Sequence, residues 1–225
     1  MNFLNHNVTI VFDLDGTLLD TAPDLIVAVN HVLKSVGGET LASQEMKSLI
    51  SLGGREMIKF GLQKNGISHS DEQLNRLCKQ FIDFYSKNLA VLTKPFPGLF
   101  KELDRLSSLG YTLTVCTNKL EAIAKRLLLE LELLTYFELI TGRDTYTVCK
   151  PNPNHLLNTI SDVGGDPTKS IMIGDSETDV ITAQMAGVYI VGVTFGYSSV
   201  PVSELGCNAI ISHYDQLKSA LNNII

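Results

Sequence analysis

Two aspartates, Asp13 and Asp15, stand directly after the apolar, β-branched run Val8–Phe12. Such a run is typical of a strand that is buried on both faces of a parallel sheet. Two residues apart on extended backbone, the carboxylates point to the same side and repel each other unless they share a cation or a proton. Gly16 follows and lets the backbone leave the strand sharply. The pattern predicts a functional site; a surface turn with two solvated aspartates is the alternative.

Three later stretches place polar residues after predicted strands or in an adjoining loop. Thr117 and Asn118 follow one strand, and a threonine hydroxyl can bind phosphate together with the N–H groups that open the next helix. Lys150 lies in a loop before proline, and Asp175 and Asp179 follow another strand, four residues apart. Taken singly, such a threonine or aspartate is often a helix cap, and such a lysine is often a solvated charge.

Strands and helices alternate in the second part of the chain, as in parallel α/β sheets. The predicted strands are 8–12, 112–116, 139–141, 170–173, 189–193 and 209–211. The predicted helices of this part are 97–109, 119–131, 153–163, 178–186 and 214–222. We therefore predict a doubly wound parallel α/β sheet, in which ligands bind beyond the carboxyl ends of the strands.

The segment 21–93 shows no convincing strand pattern. Its apolar spacing predicts helices over 22–36, 43–50, 55–64 and 71–92, with Ser70 as the N-cap of the last one. An all-helical insert after the first strand of an α/β chain predicts a second, small domain. The predicted division is a catalytic core of residues 1–20 and 94–225 and a helical cap domain of residues 21–93.

Composition narrows the classes of partner and compartment. The chain has 225 residues and a formal net charge of −6, which argues against broad nucleic-acid binding because that needs a basic face. The four cysteines are far apart and form no Cys-x-x-Cys pair, so we expect reduced thiols rather than a metal cluster. The N-terminus lacks a signal-peptide pattern and no apolar run is long enough for a membrane span. We expect a cytoplasmic protein without a membrane partner.

The stretches at Asp13-Leu14-Asp15-Gly16-Thr17, Thr117, Lys150-Pro151-Asn152-Pro153 and Gly174-Asp175 to Asp179 resemble, in order, the four motifs of the haloacid dehalogenase superfamily. Most members of that superfamily are phosphatases. The resemblance covers essentially the whole chain and includes a helical insert of the superfamily's first cap type. It implies a Rossmann-like core and phosphoryl transfer through an aspartyl phosphate.

The resemblance also implies roles for individual residues. Asp13 would be the nucleophile, and Asp15 would protonate the leaving alcohol and then take a proton from the attacking water. Mg²⁺ would be bound by the carboxylates of Asp13 and Asp175 and by the backbone carbonyl of Asp15, because hard oxygen ligands suit this ion. The phosphoryl oxygens would be held by Thr117, Asn118 and Lys150. Asp179 would support Lys150 and the ligands of the metal.

The residues 18–25 and the cap sequence Gly53-Gly54-Arg55 look most like those of phosphoglycolate phosphatases. The expected substrate is therefore a small phosphorylated metabolite, with 2-phosphoglycolate first. Gly54 and Arg55 are the candidate specificity residues, since Arg55 could hold the substrate carboxylate with a bidentate fork; an exposed charge that opens a helix is the alternative.

Three rival functions stay open at this point. A β-phosphoglucomutase-like sugar-phosphate mutase and a pyrophosphatase or nucleotidase belong to the same superfamily. A receiver-type signalling domain also forms an aspartyl phosphate on a doubly wound sheet, but receivers carry no helical insert after the first strand. The cysteines have no predicted role, none of the five histidines lies in a motif, and either a monomer or a homodimer fits.

Overall fold

The computed structural model describes residues 8–224, and every structural statement below refers to that range. Its strands are β1 (Thr9–Phe12), β2 (Leu19–Asp20), β3 (Lys94–Pro95), β4 (Thr112–Cys116), β5 (Leu139–Thr141), β6 (Ser170–Gly174), β7 (Tyr189–Val193) and β8 (Ala209–Ile211). Its α-helices are α1 (Ala22–Ser35), α2 (Ser43–Met46), α3 (Gly54–Lys64), α4 (Asp71–Lys87), α5 (Leu99–Ser108), α6 (Glu121–Glu130), α7 (Pro153–Asp162), α8 (Glu177–Ala186) and α9 (Leu217–Asn222).

Six strands form one sheet in the order β5-β4-β1-β6-β7-β8, and every neighbouring pair is parallel. After β1, the strands β4 and β5 are added on one side of it. The chain then crosses over, and β6, β7 and β8 are added on the other side. This order places a crevice between the loops that follow β1 and β6, which is where doubly wound sheets bind ligands. The predicted fold class is confirmed.

Both faces of the sheet are buried. Ile10 and Phe12 of β1 belong to one hydrophobic cluster, whereas Val11 belongs to a second cluster on the opposite face with Met172 and Ile160. Alternate side chains of a strand point to opposite faces, so a continuous apolar run is required here. This explains why β1 reads as an unbroken hydrophobic stretch before its two aspartates.

The insert between β2 and β3 contains α1 to α4, and α1 packs against both α3 and α4. No strand interrupts it within the described part of the chain. The hydrophobic cluster of the sheet continues into these helices through residues such as Leu25 and Phe81. Because this cluster is continuous, the predicted division into a core of residues 1–20 and 94–225 and a cap of residues 21–93 stays a proposal. None of the helices in residues 8–224 is both long and apolar enough to cross a membrane.

The element boundaries differ from the predictions at several ends. The segment predicted as a helix over 43–50 is α2 followed by a 3₁₀ segment, Lys47–Leu52. Helix α4 ends at Lys87 rather than at residue 92, because the chain turns there toward β3. The two-stranded antiparallel ribbon β2–β3 was not predicted, since two-residue strands carry no periodic signal. It joins the two crossings between the sheet and the helical insert.

Asp24, in the first turn of α1, joins the two segments that connect the sheet with the helical insert. Its carboxylate accepts hydrogen bonds from the Leu92 N–H at 3.0 Å, the Thr93 N–H at 2.8 Å and the Thr93 hydroxyl at 2.7 Å. Asp24 is buried, so water could not take its place as the acceptor for these three donors. One carboxylate therefore holds the start of α1, where the chain enters the helical insert, next to residues 92–93, where it leaves the insert.

Replacement of Asp24 with alanine should lower the free energy of unfolding by about 2 to 3 kcal/mol, because hydrogen bonds to a buried charge are lost and donors stay unpaired. Urea denaturation measures this. The control is Asp83→Ala, which removes only an exposed ion pair with Lys79 and should cost less than about 1 kcal/mol. Equal losses in the two variants would contradict the role of Asp24.

Candidate active site

Asp13 and Asp175 come together because β1 and β6 are neighbours in register. Phe12 pairs with Ile173, and the Asp13 N–H donates to the Ile173 carbonyl at 2.9 Å, so each aspartate follows the end of its strand at the same edge. Asp13 is 8% exposed and Asp175 is 1% exposed. The sheet topology thus buries two predicted site residues side by side.

Lys150 lies between two carboxylates of this edge. Its Nζ donates to Asp13 Oδ1 at 2.8 Å and to Asp179 Oδ1 at 2.6 Å. Burial disfavours the charge of Lys150, but the attraction of Asp13 and Asp179 outweighs it and raises the lysine pKa. The site therefore contains a fixed ammonium in contact with Asp13.

Asp179 is held by the start of α8. Its Oδ2 accepts from the Ser176 N–H at 3.1 Å and from the Ser176 hydroxyl at 2.6 Å, which completes a capping box. A Cβ at position 174 would overlap the Asp179 side chain, so glycine is required there. Because its other oxygen binds Lys150, Asp179 fixes the lysine in place.

Three carboxylates, those of Asp13, Asp175 and Asp179, place one oxygen each within 4.8 Å of one another. Burial raises the pKa of Asp13 to about 6, and the charge of Asp179 adds to the effect. Burial also raises the pKa of Asp175, again with contributions from the other two acids. Lys150 balances only part of this negative charge. The oxygen-only donor set and the excess charge fit a divalent cation.

Two residues that sequence analysis did not single out orient Asp175. The Thr17 hydroxyl donates to Asp175 Oδ1 at 3.2 Å, and the Tyr197 N–H donates to Asp175 Oδ2 at 2.7 Å. A Cβ at Gly16 or Gly196 would overlap the Asp175 carboxylate. The position of Thr17 as the last residue of the first motif could have indicated this role; nothing in the sequence around Tyr197 does so.

Asp15 forms an ion pair that was not predicted. Lys119 Nζ, after β4, lies 2.9 Å from Asp15 Oδ1 and 3.0 Å from Oδ2. The ammonium also lies 4.7 Å from the centroid of the Tyr85 ring, which belongs to α4. Lys119 therefore connects the first motif with a helix of the insert.

Thr117 and Asn118 lie at the predicted edge. Thr117 is buried, and its hydroxyl accepts from the Lys119 N–H at 3.2 Å. Asn118 Nδ2 donates to the Lys150 carbonyl at 2.9 Å, and its buried Oδ1 has no hydrogen-bond partner among the described residues. The side chain of Asn118 thus holds the loop that carries Lys150.

One histidine outside the four motifs contacts a motif residue. His155 is buried in α7, and its Nδ1 accepts the Lys150 N–H at 3.2 Å. Burial and the charge of Lys150 lower the pKa of His155 to about 4, so the ring is neutral and can accept this bond. The contact spans only five residues, but it needs the turn before α7, which the pattern of the sequence does not specify.

A cavity of about 420 Å³ lies over these groups. The polar wall is formed by residues such as Asp13, Asp15 and Lys150, and the apolar wall by residues of the helical insert: Leu25, Ile50, Met57, Phe81, Ile82 and Tyr85.

The two predicted cap residues line this cavity as well. A Cβ at Gly54 would overlap the Phe81 ring, so this glycine allows α3 to approach α4 closely. The Arg55 guanidinium donates to Asn75 Oδ1 at 2.7 Å, and its side chain is 42% exposed. Arg55 therefore lies at the rim, where its role as a specificity residue stays a prediction.

Comparison with known proteins agrees with this geometry. The sequence profile of the family described as haloacid dehalogenase-like hydrolase matches residues 10–193. The chain belongs to this family. The match spans all four motifs, and membership excludes the receiver-type interpretation.

Relatives within the haloacid dehalogenase-like family share most of the chain. The phosphoglycolate phosphatase of Mesorhizobium japonicum is 41% identical over 208 residues, which are 92% of each chain. That of Agrobacterium fabrum is 41% identical over 213 residues, 94% of this chain and 91% of the relative. These matches confirm the prediction of a phosphatase of this family, similar to phosphoglycolate phosphatases.

Two solved structures share the fold of this chain. The crystal structure of a predicted phosphoglycolate phosphatase from Haemophilus somnus superposes with a TM-score of 0.89 at 25% identity, covering 95% of this chain and 97% of that one. A protein of Thermotoga maritima, provisionally named β-phosphoglucomutase, gives a TM-score of 0.73 at 24% identity, covering 96% and 99%. The fold of this haloacid dehalogenase-like protein therefore does not separate a phosphatase from a mutase.

Proposed function

We propose that this protein hydrolyses the phosphate ester of a small phosphorylated acid, 2-phosphoglycolate, to glycolate and phosphate. The observation that carries the proposal is the contact of Asp13 with Lys150 beside Asp175, in a chain 41% identical to proteins named phosphoglycolate phosphatase. A carboxylate next to a fixed ammonium can attack a phosphoryl group whose charge the ammonium offsets.

In the proposed mechanism, an oxygen of Asp13 forms a bond to phosphorus while the bond from phosphorus to the ester oxygen breaks. Asp15 gives its proton to the departing oxygen, which leaves as the alcohol of glycolate. Asp15 then takes a proton from a water that attacks phosphorus, so phosphate leaves and the Asp13 carboxylate is restored. Lys150, Thr117 and Asn118 would hold the phosphoryl oxygens, and residues 21–93 would act as a cap that excludes other water.

Mg²⁺ is the proposed cofactor. The carboxylates of Asp13 and Asp175 and the carbonyl of Asp15 would hold it. Asp179 would support these ligands indirectly, through its contact with Lys150. When bound, the ion supplies positive charge that stabilises the phosphoryl oxygens and keeps Asp13 ionised. The excess of buried carboxylates over ammonium groups supports this assignment.

Removal of divalent ions with a chelator should abolish phosphate release, and Mg²⁺ should restore it. A second measurement does not depend on turnover: at a hundredfold excess over Kd, Mg²⁺ should stabilise the fold by about 2.7 kcal/mol. For a chain of this length this raises Tm by about 5 to 10 °C. The variant Asp175→Asn should lose most of the shift. An equal shift in the variant would remove Asp175 from the site.

The substrate is tested by a screen for phosphate release across small phosphorylated acids, sugar phosphates, nucleotides and pyrophosphate. The highest kcat/KM for 2-phosphoglycolate supports the proposal, and a nucleotide or pyrophosphate in first place contradicts it. Because the likeness to the Thermotoga maritima protein leaves a mutase open, the screen also includes β-glucose 1-phosphate. Conversion to the 6-phosphate without free phosphate would favour the mutase.

A further inference from the structure

Four cationic side chains line the cavity, and only two of them are buried. Arg55 and Arg143 are exposed. Lys150 is bound to two carboxylates at the proposed phosphoryl end. Lys119 remains, with a side chain that is 6% exposed. It is therefore the buried cation that the proposed mechanism does not use.

The ammonium group of Lys119 has an unused hydrogen-bond donor. An ammonium carries three N–H donors, and Lys119 directs two contacts to the oxygens of Asp15. Among the described residues no further hydrogen bond of standard geometry involves this ammonium, and the centroid of the Tyr85 ring lies 4.7 Å from Nζ. The ion pair with Asp15 fixes the position of this ammonium in the cavity wall.

Tyr85 has a second unused group at the same place. Its side chain is 2% exposed and lines the cavity, and its hydroxyl has no hydrogen-bond partner among the described residues. An unpaired buried hydroxyl costs about 1 to 3 kcal/mol. Burial raises the pKa of Tyr85 to about 12, so the hydroxyl keeps its proton. Two unsatisfied donors thus lie next to each other in the cavity wall.

We propose that Lys119 and Tyr85 bind the carboxylate of the substrate and so select phosphorylated acids over neutral esters. This rests on the proposed function, in which Asp15 lies at the ester oxygen. In 2-phosphoglycolate a single CH₂ separates that oxygen from the carboxylate. A cation that contacts Asp15 therefore lies within reach of that carboxylate. Arg55, at the rim, is bound to Asn75 instead.

The test compares 2-phosphoglycolate with ethyl phosphate, which has a methyl group in place of the carboxylate. In Lys119→Met the ratio of their kcat/KM values should fall roughly ten- to a hundredfold, as expected for one charge-assisted hydrogen bond. Lys119→Arg should retain part of the ratio, because the charge stays. An equal loss for both substrates would mean that Lys119 only holds Asp15, and would overturn the proposal.

Two further variants keep the test decisive. Tyr85→Phe removes only an unpaired hydroxyl, so it should fold like the wild type and lower the ratio by several-fold; an unchanged ratio would remove Tyr85 from the receptor. Arg55→Gln tests the rival receptor at the rim, and the ratio should fall less there than in Lys119→Met, because the Arg55 side chain is 42% exposed and donates to Asn75. If the ratio collapses in Arg55→Gln and not in Lys119→Met, the receptor is Arg55.

A binding measurement separates this inference from the proposed reaction. 3-Phosphonopropionate replaces the ester oxygen of 2-phosphoglycolate with CH₂, and propylphosphonate lacks the carboxylate. Both are tested as inhibitors of p-nitrophenyl phosphate hydrolysis. Tighter inhibition by the acid that disappears in Lys119→Met supports the receptor even if 2-phosphoglycolate is not hydrolysed. Equal inhibition by both compounds in the wild type overturns it.

Discussion

The variant Asp13→Asn should hydrolyse no substrate at a measurable rate, with kcat at least about 10³-fold below the wild type. The reason is chemical: an amide oxygen is a poor nucleophile and would not form a stable phosphoryl intermediate. The position is also specific, because Lys150 holds Asp13 at the end of β1 next to Asp175. Release of phosphate from 2-phosphoglycolate measures the loss, and a variant with a tenth of the wild-type rate would refute the assignment.

The fold of Asp13→Asn should be intact, so the loss is not one of structure. With divalent ions removed, its Tm should equal or exceed that of the wild type, because one of three crowded buried carboxylates becomes neutral. The matched control is Asp83→Asn on the exposed face of α4, which should keep full activity. A variant that is inactive and also unfolded would not support the role of Asp13 as nucleophile.

The second large effect is expected for Asp15→Asn, and it should depend on the leaving group. With an alkyl ester such as 2-phosphoglycolate the rate should fall about 10²- to 10⁴-fold, the usual contribution of a general acid. With p-nitrophenyl phosphate, whose leaving group needs no proton, the first step should be affected far less. The ratio of the two rates is the measurement, and equal losses would count against Asp15 as the acid.

Lys119→Met is the control for the leaving-group dependence, measured with ethyl phosphate in place of 2-phosphoglycolate, because Asp15→Asn also weakens the ion pair with Lys119. If the leaving-group dependence came from losing that pair, both variants would show it. We expect it in Asp15→Asn alone. The comparison of p-nitrophenyl phosphate with ethyl phosphate is suitable, since neither ester carries a carboxylate that Lys119 could bind.

Much of the fold follows from local pattern. The strands β4, β5, β7 and β8 lie at the predicted residues, because each is a short apolar run between polar turns. Ser70 caps α4 by accepting the Gln73 N–H, as its residue type indicates. The ends of α2 and α4 were less predictable, since the packing of the insert decides where those helices stop.

The positions of the candidate site residues were predictable only where these residues lie in contiguous motifs. Asp13, Asp15, Asp175 and Asp179 each follow a buried strand, so their order along the chain already places them at one edge of the sheet. The role of Lys119 could not be seen in this way. Its partner, Asp15, is 104 residues away, and a lysine that opens a helix is usually solvated.

The sequence by itself determined the positions of the main strands along the chain, the residues at their ends and, by resemblance, the family. The tertiary structure alone decided which charges meet: Lys119 with Asp15, His155 with the Lys150 N–H, and Tyr197 with Asp175. The physical reason is that apolar periodicity records burial along one element. A pairing of buried polar groups depends instead on how separate elements approach, and no local pattern encodes that distance.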